Sequence, residues 1–303
     1  MSLLLDRLKK GEILVSDGAM GTMLQNKGLK IGECPEEWNI THPKEVYAIT
    51  EDYLKAGSDM VVTNTFGCSR FKLAKFGLEA KVAEFNKVGV VLAKKSAIQY
   101  GGIVAGSVGP TGEFMQPLGT VTEDAMYDVF KEQILAQIQG GADAICIETM
   151  TSLEEISIAI RAVKENTSVP AIGTMTFDKG AKGYRTMMGV SIKEAALGLE
   201  KAGADIIGTN CGNGIGPMVD IVMEMRKYSS KPILVQANAG IPELINGKTC
   251  FRDTPQDMAK KVSALIDAGA NIIGGCCGTT PEHIKAIRNE IQKGNRGKYQ
   301  VQL

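Results

Sequence analysis

The sequence is poor in histidine and has no net charge, and each shortage excludes something. Only two histidines occur in 303 residues, His42 and His283. Both lie near prolines or helix starts, so structural or solvent-facing places are expected for them. Their scarcity argues against the His-rich metal sites of barrel hydrolases. Lys+Arg and Asp+Glu stand at 34 each, which leaves no general attraction to nucleic acid or to acidic membranes. No apolar run is long enough to span a bilayer, and "MSLLLDRLKKGE" is too short in apolar residues for a secretory signal. The expected compartment is the cytoplasm. No linker rich in Gly, Pro or Ser divides the chain, so one domain is expected over residues 1–294, with a polar tail at 295–303.

What is present is a recurring phrase. "LKAGSDMVVTNTF" begins at Leu54, "IQGGADAICIETM" at Ile138, "LEKAGADIIGTNC" at Leu199 and "IDAGANIIGGCC" at Ile266. Each reads as a helix end, a left-handed glycine that closes it, an Asp or Asn, and an apolar strand. Continuous apolar strands between amphipathic helices point to a parallel sheet covered by helices. Eight strands are predicted, at 12–17, 59–66, 103–109, 143–149, 171–177, 205–211, 233–239 and 271–277, each followed by a helical pattern. This α/β rhythm fits a single (β/α)8 TIM barrel. A doubly wound sheet is the alternative, because strand counting does not prove closure.

Barrel enzymes carry their chemistry at the C-terminal ends of the strands. The predicted ends hold Asp17, Asn64, Glu148, Asn210, Cys211, Asn238, Cys276 and Cys277. In a closed barrel the sixth and eighth strands are two places apart, so Cys211 can converge on the Cys276–Cys277 pair. Three thiolates with one open position make a catalytic rather than a structural zinc site. Neighbours in a regular strand face opposite ways. The flanking Gly274, Gly275 and Gly278 supply the backbone freedom for both cysteines to reach one ion. "TTPEHI" reads as a helix start with Thr279 or Thr280 as cap. A vicinal disulfide is the strained alternative. Cys68 and Cys146 are expected to be buried apolar residues, and Cys34 and Cys250 incidental loop residues. A three-thiolate zinc carries net negative charge and suits the activation of a substrate thiol as a nucleophile. Glu148 follows the apolar run "AICI" and, once buried, needs a charged partner, either a ligand or a structural Arg or Lys.

Three motifs then resemble the homocysteine S-methyltransferase family: "DGAMGTMLQ" at 17–25, "TNCGNG" at 209–214 and "GGCCGTTPEHI" at 274–284. "TNTFG", "GPTGE", "IETM" and "NAGIP" support them. The variant most resembles the homocysteine-binding module of cobalamin-dependent methionine synthase. The resemblance implies zinc on Cys211, Cys276 and Cys277, and homocysteine sulfur taking the open position to accept a methyl group. It also implies that Glu148, helped by Asp17, holds the ammonium of homocysteine. Backbone N–H groups around Gly18 and Ala19 would meet its carboxylate, and Asn238 would ligate the metal when substrate is absent. The glycine-rich run at 17–21 lacks a dinucleotide or P-loop pattern, which excludes nucleotide binding there.

The donor is expected to be either methylcobalamin on a separate corrinoid protein, favoured by the branch resemblance, or a small methyl donor such as a betaine or a sulfonium compound. Segments 109–121 and 176–190 mix glycine with Phe, Tyr or Met and suit lids or a docking surface as well as ordinary packed loops. The alternative function is a non-catalytic zinc or thiol redox-sensing barrel.

Overall fold

The computed structural model describes residues 2–181, 183–245 and 248–300. Eight parallel strands form its central sheet: β1 (Leu14–Val15), β2 (Met60–Val62), β3 (Ile103–Val108), β4 (Ala144–Met150), β5 (Ala171–Met175), β6 (Ile206–Gly214), β7 (Ile233–Asn238) and β8 (Ile272–Gly275). Their order in the sheet is 1-8-7-6-5-4-3-2. A parallel bridge between Ser16 and Met60 joins β1 to β2 and closes the ring. The expected barrel is therefore the fold, and the open doubly wound sheet is not. Residues 301–303 of the expected tail lie outside the described residues, and the last helix runs Pro281–Gln300.

Helices cover the outside because the strands are apolar on both faces. Val61, Ile145, Ile207, Val235 and Ile273 pack outward against them. Leu14, Met60, Ile103, Ile172, Ile206, Leu234 and Ile272 fill the inside, with Cys146 among them. The helix Leu3–Lys9 plugs the lower mouth with Leu4 and Leu8.

The recurring phrase has a structural job. Gly57, Gly141, Gly203 and Gly269 all take positive φ, between 94° and 107°, after a helix end. The Asp or Asn two residues later clamps the preceding strand at its first turn. Asp59 accepts from Val15 N (2.8 Å), Asp143 from Val104 N (2.8 Å), Asp205 from Ala171 N (2.9 Å) and Asn271 from Ile233 N (2.9 Å). The backbone N–H of each clamp residue donates back to that strand, at 2.7–2.9 Å. The carboxylates are neutralised: Asp143 by Lys94, Asp205 by Lys164, and Asp59 by Arg7 and Arg288.

Strand ends differ from expectation where the site begins. β8 stops at Gly275, so Cys276 and Cys277 lie in the turn beyond it. β6 runs on to Gly214 but slips register between Asn210 and Gly214. The helical pattern expected after the seventh strand is split into two helices, Pro255–Ala259 and Val262–Ala268.

Candidate metal centre

The sulfurs of Cys211, Cys276 and Cys277 all lie within 4.8 Å of one another at the upper mouth. Cys211 Sγ and Cys277 Sγ are 3.9 Å apart. Two thiolates on a tetrahedral zinc stand about 3.8 Å apart, given Zn–S bonds of about 2.3 Å. Backbone geometry makes this convergence possible. Cys211 itself has φ 60° and Gly212 φ 71°, so the chain turns back at the end of β6. Gly278 has φ 79°, and a Cβ there would lie 2.2 Å from the Phe251 ring. Cys276 N donates to Ala237 O (2.7 Å) and Ala239 N to Cys277 O (2.9 Å), which pins the cysteine turn to the end of β7. All seven cysteines are free thiols.

Without metal the three thiols share protons. Hydrogen bonds from Cys276 and Cys277 pull the Cys211 thiol down to about 3. Facing that thiolate pushes Cys277 up to about 11 and Cys276 well up. A divalent cation at the three sulfurs would displace the protons they share. Asn238 adds a fourth donor. It is buried, it lies close enough to Cys211 to help lower that thiol, and its Oδ1 has no partner. A buried carbonyl oxygen left open on a side chain near Cys211 fits a metal ligand. The residues present therefore fit zinc.

A cavity of about 380 Å³ opens beside the sulfurs, lined by Gly18–Thr22, Pro35–Glu36, Val62–Asn64, Phe66, Ser107, Glu148, Thr149, Gln236 and the three cysteines. Glu148 is buried in its wall, and burial pushes its carboxyl up to about 7. Its hydrogen-bond donor is the Ser107 hydroxyl. Among the described residues no cation approaches Glu148 or Asp17, so the structural Arg or Lys partner is absent. Asp17 lies elsewhere than the cavity lining. Its Oδ2 accepts from Val62 N (2.8 Å) across the β1–β2 seam and its Oδ1 from Ser16 Oγ (3.2 Å), and burial raises it well above the usual carboxylate range. Gly18 packs so tightly that a Cβ would meet Thr279 Oγ1 at 2.6 Å. Ala19 N is already committed to Thr279 Oγ1 (3.1 Å). The amides of Gly18, Met20 and Gly21 have no acceptor among the described residues.

Several residues not expected from the sequence to take part in the site complete it. Thr279 links Ala19 N to Cys276 O (2.7 Å), and Tyr53 OH donates to Ala19 O (3.1 Å) and Thr279 O (3.2 Å). Thr22 Oγ1 accepts from Gly278 N (3.1 Å). The two motif loops are thereby tied together. Glu36, buried at the rim, accepts from Gly67 N (2.6 Å) and from the Cys34 thiol (3.4 Å). Cys34 is thus a buried residue rather than an incidental one, and burial pushes its thiol up to about 12. Cys68 and Cys146 are fully buried, as expected. Asn64 bonds Pro35 O (2.8 Å) and Asn39 Oδ1 (3.0 Å), a rim brace. Exposed His42 stacks on Trp38, and buried His283 accepts from Thr280 N and bonds Asp253 O, so neither lines the cavity.

Segments 109–121 and 176–190 wall a second groove of about 440 Å³, which shares Thr149 with the first cavity. Phe114, Leu118, Met187 and Met188 lie exposed along it. Its acidic residues are Glu113, which pairs with Lys75 (3.5 Å), Glu154, Glu155 and Asp178, and among the described residues no Lys, Arg or His is in the lining itself.

The family model for homocysteine S-methyltransferase matches residues 14–291. The chain belongs to that family. It is 31% identical to methionine synthase of Mycobacterium leprae over 94% of this chain, and 31% identical to methionine synthase of Mycobacterium tuberculosis over 98%. The chain spans about a quarter of the length of these relatives, 25% and 26%. In shape it is similar to the metallated form of the homocysteine methyltransferase MmuM of Escherichia coli. The TM-score is 0.80 at 23% identity, covering 94% of this chain and 99% of that one. No helix among the described residues is long and apolar enough to cross a membrane.

Proposed function

We propose that this chain transfers a methyl group from a donor to the thiolate of homocysteine, forming methionine, with zinc held by Cys211, Cys276 and Cys277. The observation that carries this is one cavity with three converging sulfurs at one wall and a buried carboxylate without a cation at another. Homocysteine has the complementary ends, a thiol and an ammonium. Zinc at the three sulfurs would keep a fourth, substrate sulfur ionised near neutral pH. Glu148 would accept hydrogen bonds from the substrate ammonium, whose charge restores the ionised form of that carboxyl. The open amides of Gly18, Met20 and Gly21 would meet the substrate carboxylate. Asp17 would act from behind, by fixing the seam that carries this turn. Asn238 Oδ1 would fill the vacant metal position before substrate binds. Met20, Val62 and Phe66 would line the methylenes and exclude water. The sulfur then attacks the methyl carbon as the donor–methyl bond breaks, its electron pair leaving on the donor.

For the donor we favour methylcobalamin carried by a separate corrinoid protein, because the motifs resemble that branch of the family. One observation favours a second donor. The groove beside the site sets Glu154, Glu155 and Asp178 among apolar side chains, which suits a small sulfonium or quaternary ammonium compound. Free thiols throughout fit a reducing compartment such as the cytoplasm. Residues 1–294 would then act as one homocysteine-binding unit. The test is methionine formation by the purified, zinc-loaded chain given homocysteine and each donor separately. Turnover with methylcobalamin is expected. Turnover with a betaine alone would overturn the corrinoid assignment. Failure to bind homocysteine, together with a stable Cys276–Cys277 disulfide, would replace the enzyme by a redox sensor.

A further inference from the structure

Asn210 is fully buried between the two halves of the site, and every polar atom of its side chain is engaged. Its Oδ1 accepts from Thr149 N (2.8 Å) and from Thr174 Oγ1 (2.7 Å). Its Nδ2 donates to Thr149 Oγ1 (2.7 Å) and reaches Cys276 Sγ at 4.0 Å. Four strand ends thus meet on one amide: β4 through Thr149, β5 through Thr174, its own strand β6, and the turn after β8 through Cys276.

Two of these neighbours are strained. Thr149 has φ 62° and Cys211 φ 60°, and these are the two non-glycine residues with positive φ among those described. A β-branched residue in that region is held there by its surroundings. Thr149 follows Glu148 directly, and Cys211 follows Asn210 directly. The Asn210 amide therefore holds the turn that aims the carboxylate and adjoins the turn that aims the first sulfur.

We propose that Asn210 is a positioning residue that sets the span between the ammonium-binding carboxylate and the metal-binding sulfurs, and so selects homocysteine over shorter amino thiols. This rests on the proposed function, since it takes Glu148 and the three cysteines as the two ends of the substrate site. A ligand that must reach both ends at once has its length fixed by their separation, and cysteine is one methylene short. The N–H directed at Cys276 also withdraws charge from that sulfur, so the same side chain tunes one ligand of the metal.

The test compares zinc-loaded and cobalt(II)-loaded wild type with Asn210→Asp and Asn210→Ala. Asn210→Asp keeps the acceptor for Thr149 N and Thr174 Oγ1 and loses both N–H donors. Three readouts are taken: zinc affinity by chelator competition, the thiolate-to-cobalt absorption band, and calorimetric binding of homocysteine against cysteine. Wild type is expected to prefer homocysteine by about 10–200-fold, the range one methylene sets. Asn210→Asp should shift the cobalt band and weaken zinc binding about tenfold or more. Asn210→Ala should also collapse the preference to within a few-fold. If the alanine variant does not fold, the band and affinity of the aspartate variant decide. An unmoved band with zinc affinity within twofold in a folded variant overturns the inference, as does an unchanged homocysteine preference. Wild type that binds zinc but neither thiol would sink the proposed function instead, while the band and zinc affinity would still judge the contact to Cys276.

Discussion

Acidic side chains stand at both mouths of the barrel, and they are treated in opposite ways. At the lower mouth Asp59, Asp143 and Asp205 each clamp a strand and each meets a cation, from Arg7 and Arg288, Lys94 and Lys164 respectively. At the upper mouth Glu148 and Asp17 are buried with no cation near among the described residues. A carboxylate that is neutralised within the chain serves the fold. Glu148, left without a counter-charge in the cavity wall where burial is costly, fits a cationic ligand, whereas Asp17, likewise without one, is spent on the β1–β2 seam.

The comparison can be broken at either mouth. The largest effect is expected at the top: Cys211→Ala should lose zinc and lower methyl transfer more than about a hundredfold, with the melting temperature little changed. Metal analysis and a turnover assay check this, and retained zinc would remove Cys211 from the ligand set. At the bottom, Asp59→Ala should cost about 2–3 kcal/mol of stability by urea unfolding, since charged hydrogen bonds to β1 are lost and two arginines are stranded. Its homocysteine affinity should stay unchanged, and a parallel loss of affinity would blur the division between mouths.

Glu148→Gln should have the reverse signature. Homocysteine binding should weaken about 10–100-fold in calorimetry, with zinc content and stability held. The smallest effect concerns pH. The Glu148 carboxyl is raised from 4.5 to about 7 in the fold, so the native state binds more protons than the unfolded chain between those values. Stability without ligand should be unaffected by this group below about pH 4.5, and should fall as pH rises towards 7, by up to about 3 kcal/mol. Urea unfolding across that window should show the slope in wild type and lose it in Glu148→Gln. A wild-type slope of the opposite sign after subtracting the variant would show that Glu148 is stabilised as an anion.

Much of this was legible in the sequence, and the illegible part has a common cause. The eight strand–helix units showed because each apolar run is bounded by glycine and polar residues. The three sulfurs showed because cysteine is rare and its chemistry narrow. The clamp role of Asp59, Asp143, Asp205 and Asn271 did not show, because each partner is a backbone N–H in the strand before. The same holds for Thr279 and Ser107. Threonine and serine are common, and Thr279 finds Ala19 260 positions away in sequence. Asp17 carries the complementary lesson: its motif is part of the site, but its oxygens are used by the barrel seam.

That seam has a consequence for motion. Strands β1 and β2 are joined by one backbone bridge and by the carboxylates of Asp17 and Asp59, whereas β6 and β7 pair over five positions. Residues 18–22, which continue β1, and Val62, Thr63, Asn64 and Phe66, at and beyond the end of β2, all line the cavity. A ligand seated there touches both lips of the weakest joint in the ring. It acts as a stitch, adding its binding energy where the cylinder would otherwise part first. Amide exchange at Val15 and Val62 would report how tightly it is drawn.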